Sequence, residues 1–228
     1  MSAPSRVHRE GFMPGLDRRS AIVGLGLAAG GLAVSSRAGL LQGVTQPRVR
    51  PNLYNCEGCE AVGERSPEKL HASLVLANKA EPGERMILSG RVLTADGARP
   101  AANVVIYAHH TNAAGRYANG SSESEWSRRH GRLRGWVRTG SDGRYAFDTI
   151  KPAPYPNETM PAHVHLFIAE AGHPAYYIDD VVFDGEFGVT PRYRRAQELR
   201  GGSGIIRLER SAAGVWLAMR DIRLERHA

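Results

Sequence analysis

Trp136-Val137-Arg138-Thr139-Gly140-Ser141-Asp142-Gly143-Arg144-Tyr145-Ala146-Phe147-Asp148-Thr149-Ile150 is the stretch that decides the fold. Trp136 to Thr139 and Tyr145 to Ile150 read as strands. They flank Ser141-Asp142-Gly143-Arg144, and Asp-Gly between two such runs is a hairpin signal. Working outward, the period stays at two rather than 3.6. Upstream, Met86 to Thr94 is a strand closed by the turn Ala95-Asp96-Gly97, and Val104 to His110 is a second. Downstream, Ala162 to Ala169, Tyr176 to Phe183, Ile205 to Glu209 and Val215 to Leu224 complete the set. Short strands spaced by turns, with no helical pattern of normal length among them, predict an all-β sandwich or barrel. Gly115 to Arg134 lacks periodicity, and a loop that long is usually functional.

The chain has 228 residues, enough for one sizeable domain plus extensions. Its 26 Gly and 13 Pro favour a turn-rich β architecture over a helical bundle. The formal charge is +7, but Arg6, Arg9, Arg18, Arg19 and Arg37 against Glu10 and Asp17 confine +3 of it to the first 38 residues. Elsewhere both signs are interspersed. No basic run is interleaved with aromatics, so nucleic acid is not an expected partner.

Residues 1–38 read as an export signal. Arg18-Arg19 precede an apolar, Gly-rich stretch from Ala21 to Val34, and Ser36-Arg37-Ala38 offers small residues at cleavage spacing. Paired arginines before a weakly hydrophobic segment resemble a twin-arginine signal, although Asp17 and Ala21 depart from that pattern. The stretch is short for a transmembrane helix, which needs about 20 apolar residues, so no stable membrane span is expected after processing. Residues 39–81 read as an irregular arm carrying Cys56 and Cys59, and 82–228 as the compact domain. Leu70 to Ala77 is a helix turn or a strand. Two cysteines are too few for a four-cysteine zinc site; a local disulfide and two free thiols both remain open.

His163-Val164-His165 lies inside a strand run, where residues i and i+2 share a face, so both imidazoles can reach one point. Neutral imidazole is the commonest protein metal ligand. Upstream, Thr149 to Pro156 places prolines on both sides of Tyr155, which fixes where its phenol points. Asn112 to Tyr117 puts a second tyrosine at the mouth of the long loop. No spacing rule selects Tyr117 and Tyr155 as ligands.

Taken together and in order, Leu88 to Val92, Asn112 to Tyr117, Arg134-Gly135, Thr139, Asp142-Gly143, Thr149 to Tyr155 and Pro161 to His165 resemble the intradiol ring-cleavage dioxygenase family over about Pro82 to Phe187. The resemblance implies a β-sandwich and a mononuclear Fe(III) site acting on a small aromatic diol and O2. It also implies Tyr117 and His163 as equatorial ligands and Tyr155 and His165 as axial ligands, with Tyr155 displaced as substrate binds. Two positions depart from the family pattern. Met160 stands where an Arg precedes Pro-Ala-His, and Asp180 stands where a Gln follows the histidines. Both would border the substrate, with Arg116 as a replacement cation. His109, His110, His130 and His173 read as structural or surface residues.

Two other readings compete. Ser89 to Val92 and the following turn also suit a transthyretin-like or carboxypeptidase-regulatory-like binding module, and the same ligands could hold Zn or Cu, although two phenolates favour a hard ferric ion. A homo-oligomer is compatible with the sequence.

Overall fold

A computed structural model of the protein describes residues 49–120 and 124–227. The export-signal reading therefore lies outside the described residues. Eleven strands are described: β1 (Ser73–Val75), β2 (Arg85–Leu93), β3 (Val105–His110), β4 (Arg134–Arg138), β5 (Arg144–Ile150), β6 (His163–Ala169), β7 (Tyr176–Phe183), β8 (Ile205–Ile206), β9 (Leu208–Arg210), β10 (Trp216–Met219) and β11 (Ile222–Arg223). One sheet runs β1-β5-β2-β10-β9, with β11 also on β2; the other runs β4-β3-β6-β7-β8. The all-β expectation holds. Among the described residues the helices α1 (Glu125–His130) and α2 (Pro191–Arg195) are one to two turns long, and none is long and apolar enough to cross a membrane.

The sheets face each other across one core. Met86, Leu88 and Phe147 from the first sheet pack with Ile106, Val137, Leu166 and Ile178 from the second. On β5 the buried Tyr145, Phe147 and Thr149 alternate with the half-buried Ala146 and Asp148, so one face is wet. Strand β3 is buried at every position instead. A strand buried on both faces needs a second cover, and residues from the Cys56–Cys59 region provide it. Ala61 and Val62 join Val105, Tyr107, Trp136 and Phe167 in a separate apolar cluster on the outer face. The Trp136 indole N–H donates to the Ala61 carbonyl at 3.0 Å. Cys56 and Cys59 form a disulfide, which decides between the two thiol states left open by the sequence.

Two expectations are corrected. Ser141 to Arg144 does not close a hairpin: β4 belongs to the second sheet and β5 to the first. The turn is real, with Gly143 N–H donating to the Gly140 carbonyl at 3.0 Å, but it carries the chain from one sheet to the other. Its flanking strands find partners elsewhere, β4 on β3 and β5 on β2. The aperiodic Gly115 to Arg134 segment contains α1, started by a capping box in which Ser124 and Ser127 bond reciprocally. A helix this short has no room to show a 3.6 period.

Trp136 is the main tie between cover and sheet. Trp136→Ala should lower unfolding free energy by roughly 3–5 kcal/mol and open the 56–64 segment to proteolysis, whereas Trp136→Phe should cost only about 1 kcal/mol for the lost hydrogen bond. Urea melts and limited proteolysis of the two variants check this; equal losses would mean that the ring's packing does not hold the cover.

Candidate metal centre

The outer face of the second sheet carries the chemistry. Strand alternation puts His163 and His165 of β6 on that face, with His109 of β3 directly opposite His165. Pairing of β6 with β7 then slips. Val164 lies opposite Val181 but Leu166 opposite Ile178, so β7 has one extra residue there. Such a bulge re-aims a side chain; here it brings Asp180 beside His165, whose Nδ1–H donates to Oδ1 at 2.8 Å. The Nδ1–H of His163 donates to the Pro161 carbonyl at 2.7 Å. With both Nδ1 atoms protonated, each Nε2 is a lone-pair acceptor, and the two face each other at 3.0 Å.

The tyrosines arrive from two loops locked together. Asn112 organises the first: its side-chain oxygen accepts from Ala114 N–H at 3.0 Å and Arg116 N–H at 3.1 Å. Gly115, at φ 70°, is required here, because any Cβ would collide with the Pro154 carbonyl of the second loop. Thr111 adds a bond from its hydroxyl to the Ala153 carbonyl at 2.7 Å. The Tyr117 and Tyr155 hydroxyls consequently meet at 2.7 Å.

Four atoms close into a ring. Beyond the two contacts given, Tyr155 Oη is 3.3 Å from His163 Nε2, and Tyr117 Oη is 3.1 Å from His165 Nε2. Donors roughly 2 Å from a shared ion and at right angles lie about 3 Å apart, so the set fits a single cation. Without a cation the cluster has two phenol protons to share among the O–O contact and the two imidazole lone pairs, so one lone pair is left without a proton; a multivalent cation would take the place of both protons. His163, His165 and Asp180 also form a metal-ligating group by proximity, but Asp180 bonds the far nitrogen of His165, which is how an outer carboxylate orients a ligating imidazole.

Burial raises both phenols above the ordinary range, and their mutual hydrogen bond pushes Tyr117 further up while holding Tyr155 down. Burial lowers His163, with His165 adding to the effect. At His165 burial also opposes charge, but Asp180 outweighs it and the net shift is upward. A bound cation would invert this logic and make the phenols anions.

A cavity of ≈ 450 Å³ opens on the cluster, lined by Tyr117, Tyr155, His165 and Asp180, and also by Glu57, His109, Arg129, His130, Phe167 and Tyr177. Five predicted residues are thus brought together: Tyr117, Tyr155, His163, His165 and Asp180. Two are not. Met160 is 44% exposed and lines a separate cleft with Asn157, Glu158 and Tyr193. Arg116 is exposed and does not line the cavity. Of the histidines read as structural or surface, His110 is structural, bonded to Thr111 and Thr149, and His173 stacks on His227. His109 and His130 are cavity residues, a placement the sequence did not signal.

Residues 61–196 match the dioxygenase family. The chain belongs to the intradiol dioxygenase family. Among its relatives, the chain is 28% identical to catechol 1,2-dioxygenase 2 of Acinetobacter lwoffii, over 54% of this chain and 52% of that one. It is also 28% identical to the protocatechuate 3,4-dioxygenase beta chain of Burkholderia cepacia, over 66% and 68%. The alignment thus spans about half the length of the first relative. Its fold is shared with catechol 1,2-dioxygenase from Pseudomonas arvilla C-1, at 24% identity and a TM-score of 0.53, over 68% of this chain and 57% of that one. It is shared as well with the dioxygenase domain of a carbohydrate-binding fusion from Streptomyces sp. SirexAA-E, at 23% and 0.50, over 69% and 89%. Family membership favours an enzyme over a binding module.

The His165–Asp180 pair holds both charges, with a second proton on His165 Nε2, only in a window of pH, and above it His165 is the neutral Nδ1–H tautomer. The pair's stabilisation fades as pH falls through the lowered Asp180 pKa and as pH rises through the raised His165 pKa. After metal removal, His165 should titrate above 6.5, and Asp180→Asn should bring it below, because burial alone then acts. Imidazole NMR shifts across pH 4–9 check this, and an unmoved His165 would disprove the coupling.

Proposed function

We propose that this protein cleaves a catechol-type ring between its two hydroxylated carbons, adding both atoms of O2 to give a muconate-type diacid, at a mononuclear non-haem Fe(III) held by Tyr117, Tyr155, His163 and His165. The observation that carries the reading is the closed ring of two phenol oxygens and two imidazole nitrogens, with adjacent atoms 2.7–3.3 Å apart. Oxygen-rich, anionic donors suit a hard ion. Fe(III), when bound, supplies Lewis acidity and accepts electron density from a chelated catechol dianion.

The chain's own part is to orient and to move protons. Tyr117 and His163 would be the fixed pair and His165 the ligand oriented by Asp180. Tyr155 is the less deeply buried phenol and faces the cavity, which suits the displaceable ligand whose Oη takes a proton from a substrate hydroxyl. Phe167 and Tyr177 line the cavity with aromatic surface against which a ring can pack. Catechol and O2 together balance the diacid, so no external reductant enters.

We further propose that Arg18-Arg19 direct twin-arginine export, which carries folded, metal-loaded protein across a membrane into the periplasm or the medium. The supporting features are the arginine pair and the apolar stretch after it. Changing Arg18→Lys together with Arg19→Lys should retain the precursor in the cytoplasm; unchanged export on fractionation would overturn this.

The purified protein should hold one iron per chain and be red to burgundy from phenolate-to-iron charge transfer, and loading the metal-free protein should release protons. Tyr117→Phe, His163→Ala and His165→Ala should each weaken iron binding. Tyr155→Phe should keep some iron yet lose about a hundredfold or more in turnover. Oxygen uptake should equal catechol consumed. Stoichiometric zinc without iron would sink the ferric reading, and a yellow semialdehyde product would mean cleavage beside the hydroxyls instead of between them.

A further inference from the structure

His130 closes α1 and reaches the cavity from the loop side. Its ring is parallel to that of His109, with centroids 4.0 Å apart and planes at 3°. On its other side His109 meets His165 at 4.5 Å. The three rings form a row running from the donor cluster along the cavity wall. His109 is thus packed between ring neighbours and lines the cavity. It is fully buried, and its Nδ1 has no hydrogen-bond partner among the described residues.

The proton on His130 can be assigned from its neighbours. Arg134 Nη1 donates to the Tyr107 hydroxyl oxygen at 3.3 Å, and Arg134 is itself paired with Glu64 at 2.5 Å. Guanidinium can only donate, so the Tyr107 proton points the other way, to His130 Nδ1 at 2.8 Å. Nδ1 is therefore an acceptor, and in the neutral ring the N–H sits on Nε2. Burial keeps the ring neutral at physiological pH, with its pKa lowered to about 4. Space for that N–H is kept by Gly58 of the disulfide loop, where a Cβ would lie 3.2 Å from Nε2. Among the described residues nothing accepts from it.

The charges around the cavity argue against an anionic ring substituent. Arg129 is the one Lys or Arg among the lining residues, and it is paired with Glu57, which lines the same cavity. Asp180 adds a carboxylate to the lining, bonded to the His165 Nδ1–H at 2.8 Å. Met160 and Arg116 bring no cation to the cavity.

We propose that His130 is a specificity-determining residue of this cavity: its Nε2–H donates to an uncharged oxygen substituent, such as a hydroxyl or methoxy group, on the part of the catechol ring away from the two metal-binding hydroxyls. This rests on the ring-cleavage reading above. Tyr107 and Arg134 are positioning residues that fix the tautomer, and His109 holds the His130 ring parallel and at a set distance from His165.

The test compares 4-methoxycatechol with 4-ethylcatechol, which have similar shapes but differ in the oxygen. Dissociation constants are measured under nitrogen on iron-loaded protein from the visible absorption change. In the unaltered protein the methoxy compound should bind about fivefold tighter or more, the range of one directed hydrogen bond. His130→Phe should bring the ratio to about one, and Tyr107→Phe should lower it while the iron content of both variants stays normal. An unchanged ratio in His130→Phe overturns the proposal, as does tighter binding of protocatechuate than of 4-methoxycatechol by the unaltered protein. Failure of the iron-loaded protein to bind any catechol overturns the ring-cleavage reading itself, a result distinct from catechols that bind with no preference for the oxygen.

Discussion

Two deprotonated imidazole nitrogens 3.0 Å apart repel unless protons or a cation lie between them, and the site is built to impose that closeness. Pro161 and Asp180 hold the protons of His163 and His165 on the outer nitrogens, so the inner lone pairs have no choice of direction. The phenol hydroxyls bring two protons to the cluster and can also become anions, so a multivalent cation can take the protons' place. The same four atoms form a hydrogen-bonded cluster and would be the ligand set of a bound cation.

That economy depends on what covers the second sheet. A single exposed face would leave His163, His165 and both phenols in water, where ligands are mobile and charges are screened. The Cys56–Cys59 loop and the residues up to Glu64 close over the outer face instead, tied down by Trp136. Their edge, at Glu57 and Gly58, forms the cavity rim against Arg129 and His130. The segment that reads as an irregular arm is therefore part of the wall the substrate would meet. Its disulfide matters here because it shortens the excursions of a loop that has little secondary structure of its own.

How far the site could be read in advance follows from these geometries. His163 and His165 were legible because strand alternation is local: i and i+2 share a face whatever the partner strand does. The tyrosines were not selected by spacing, since their meeting depends on Gly115 passing close to Pro154, a contact between loops 39 residues apart in number; only family resemblance pointed to them. Asp180 was placed near the substrate, but its bond to His165 depends on a bulge, and the one extra residue in β7 has no sequence mark between Ile178 and Val181. The Asp142-Gly143 turn was located correctly and given the wrong job. A turn motif specifies a reversal of the chain, while the choice of sheet is made by the strands that compete for each edge. His109 and His130 carried no signal because their role needs three elements at once: a β3 position, the end of α1 and the disulfide loop.

The departures from the family pattern acquire a physical meaning in this setting. A carboxylate at 180 in place of an amide makes a stronger acceptor for the His165 Nδ1–H, since charge-assisted hydrogen bonds are roughly twice as strong as neutral ones. It raises the electron density that His165 can offer a metal, and it adds a negative charge to the cavity wall. The thioether at 160 lies out in a separate cleft and is not part of this wall. The carboxylate shifts the local balance toward a site that would donate more to a bound metal and would discourage anionic ring substituents. With charge removed as a means of recognition, selectivity has to come from directed neutral hydrogen bonds, and those require donors whose protons are fixed in advance. The chain from Glu64 through Arg134 and Tyr107 to His130 is such a device: a half-buried ion pair sets the direction of one hydroxyl, and the hydroxyl sets the tautomer of one ring.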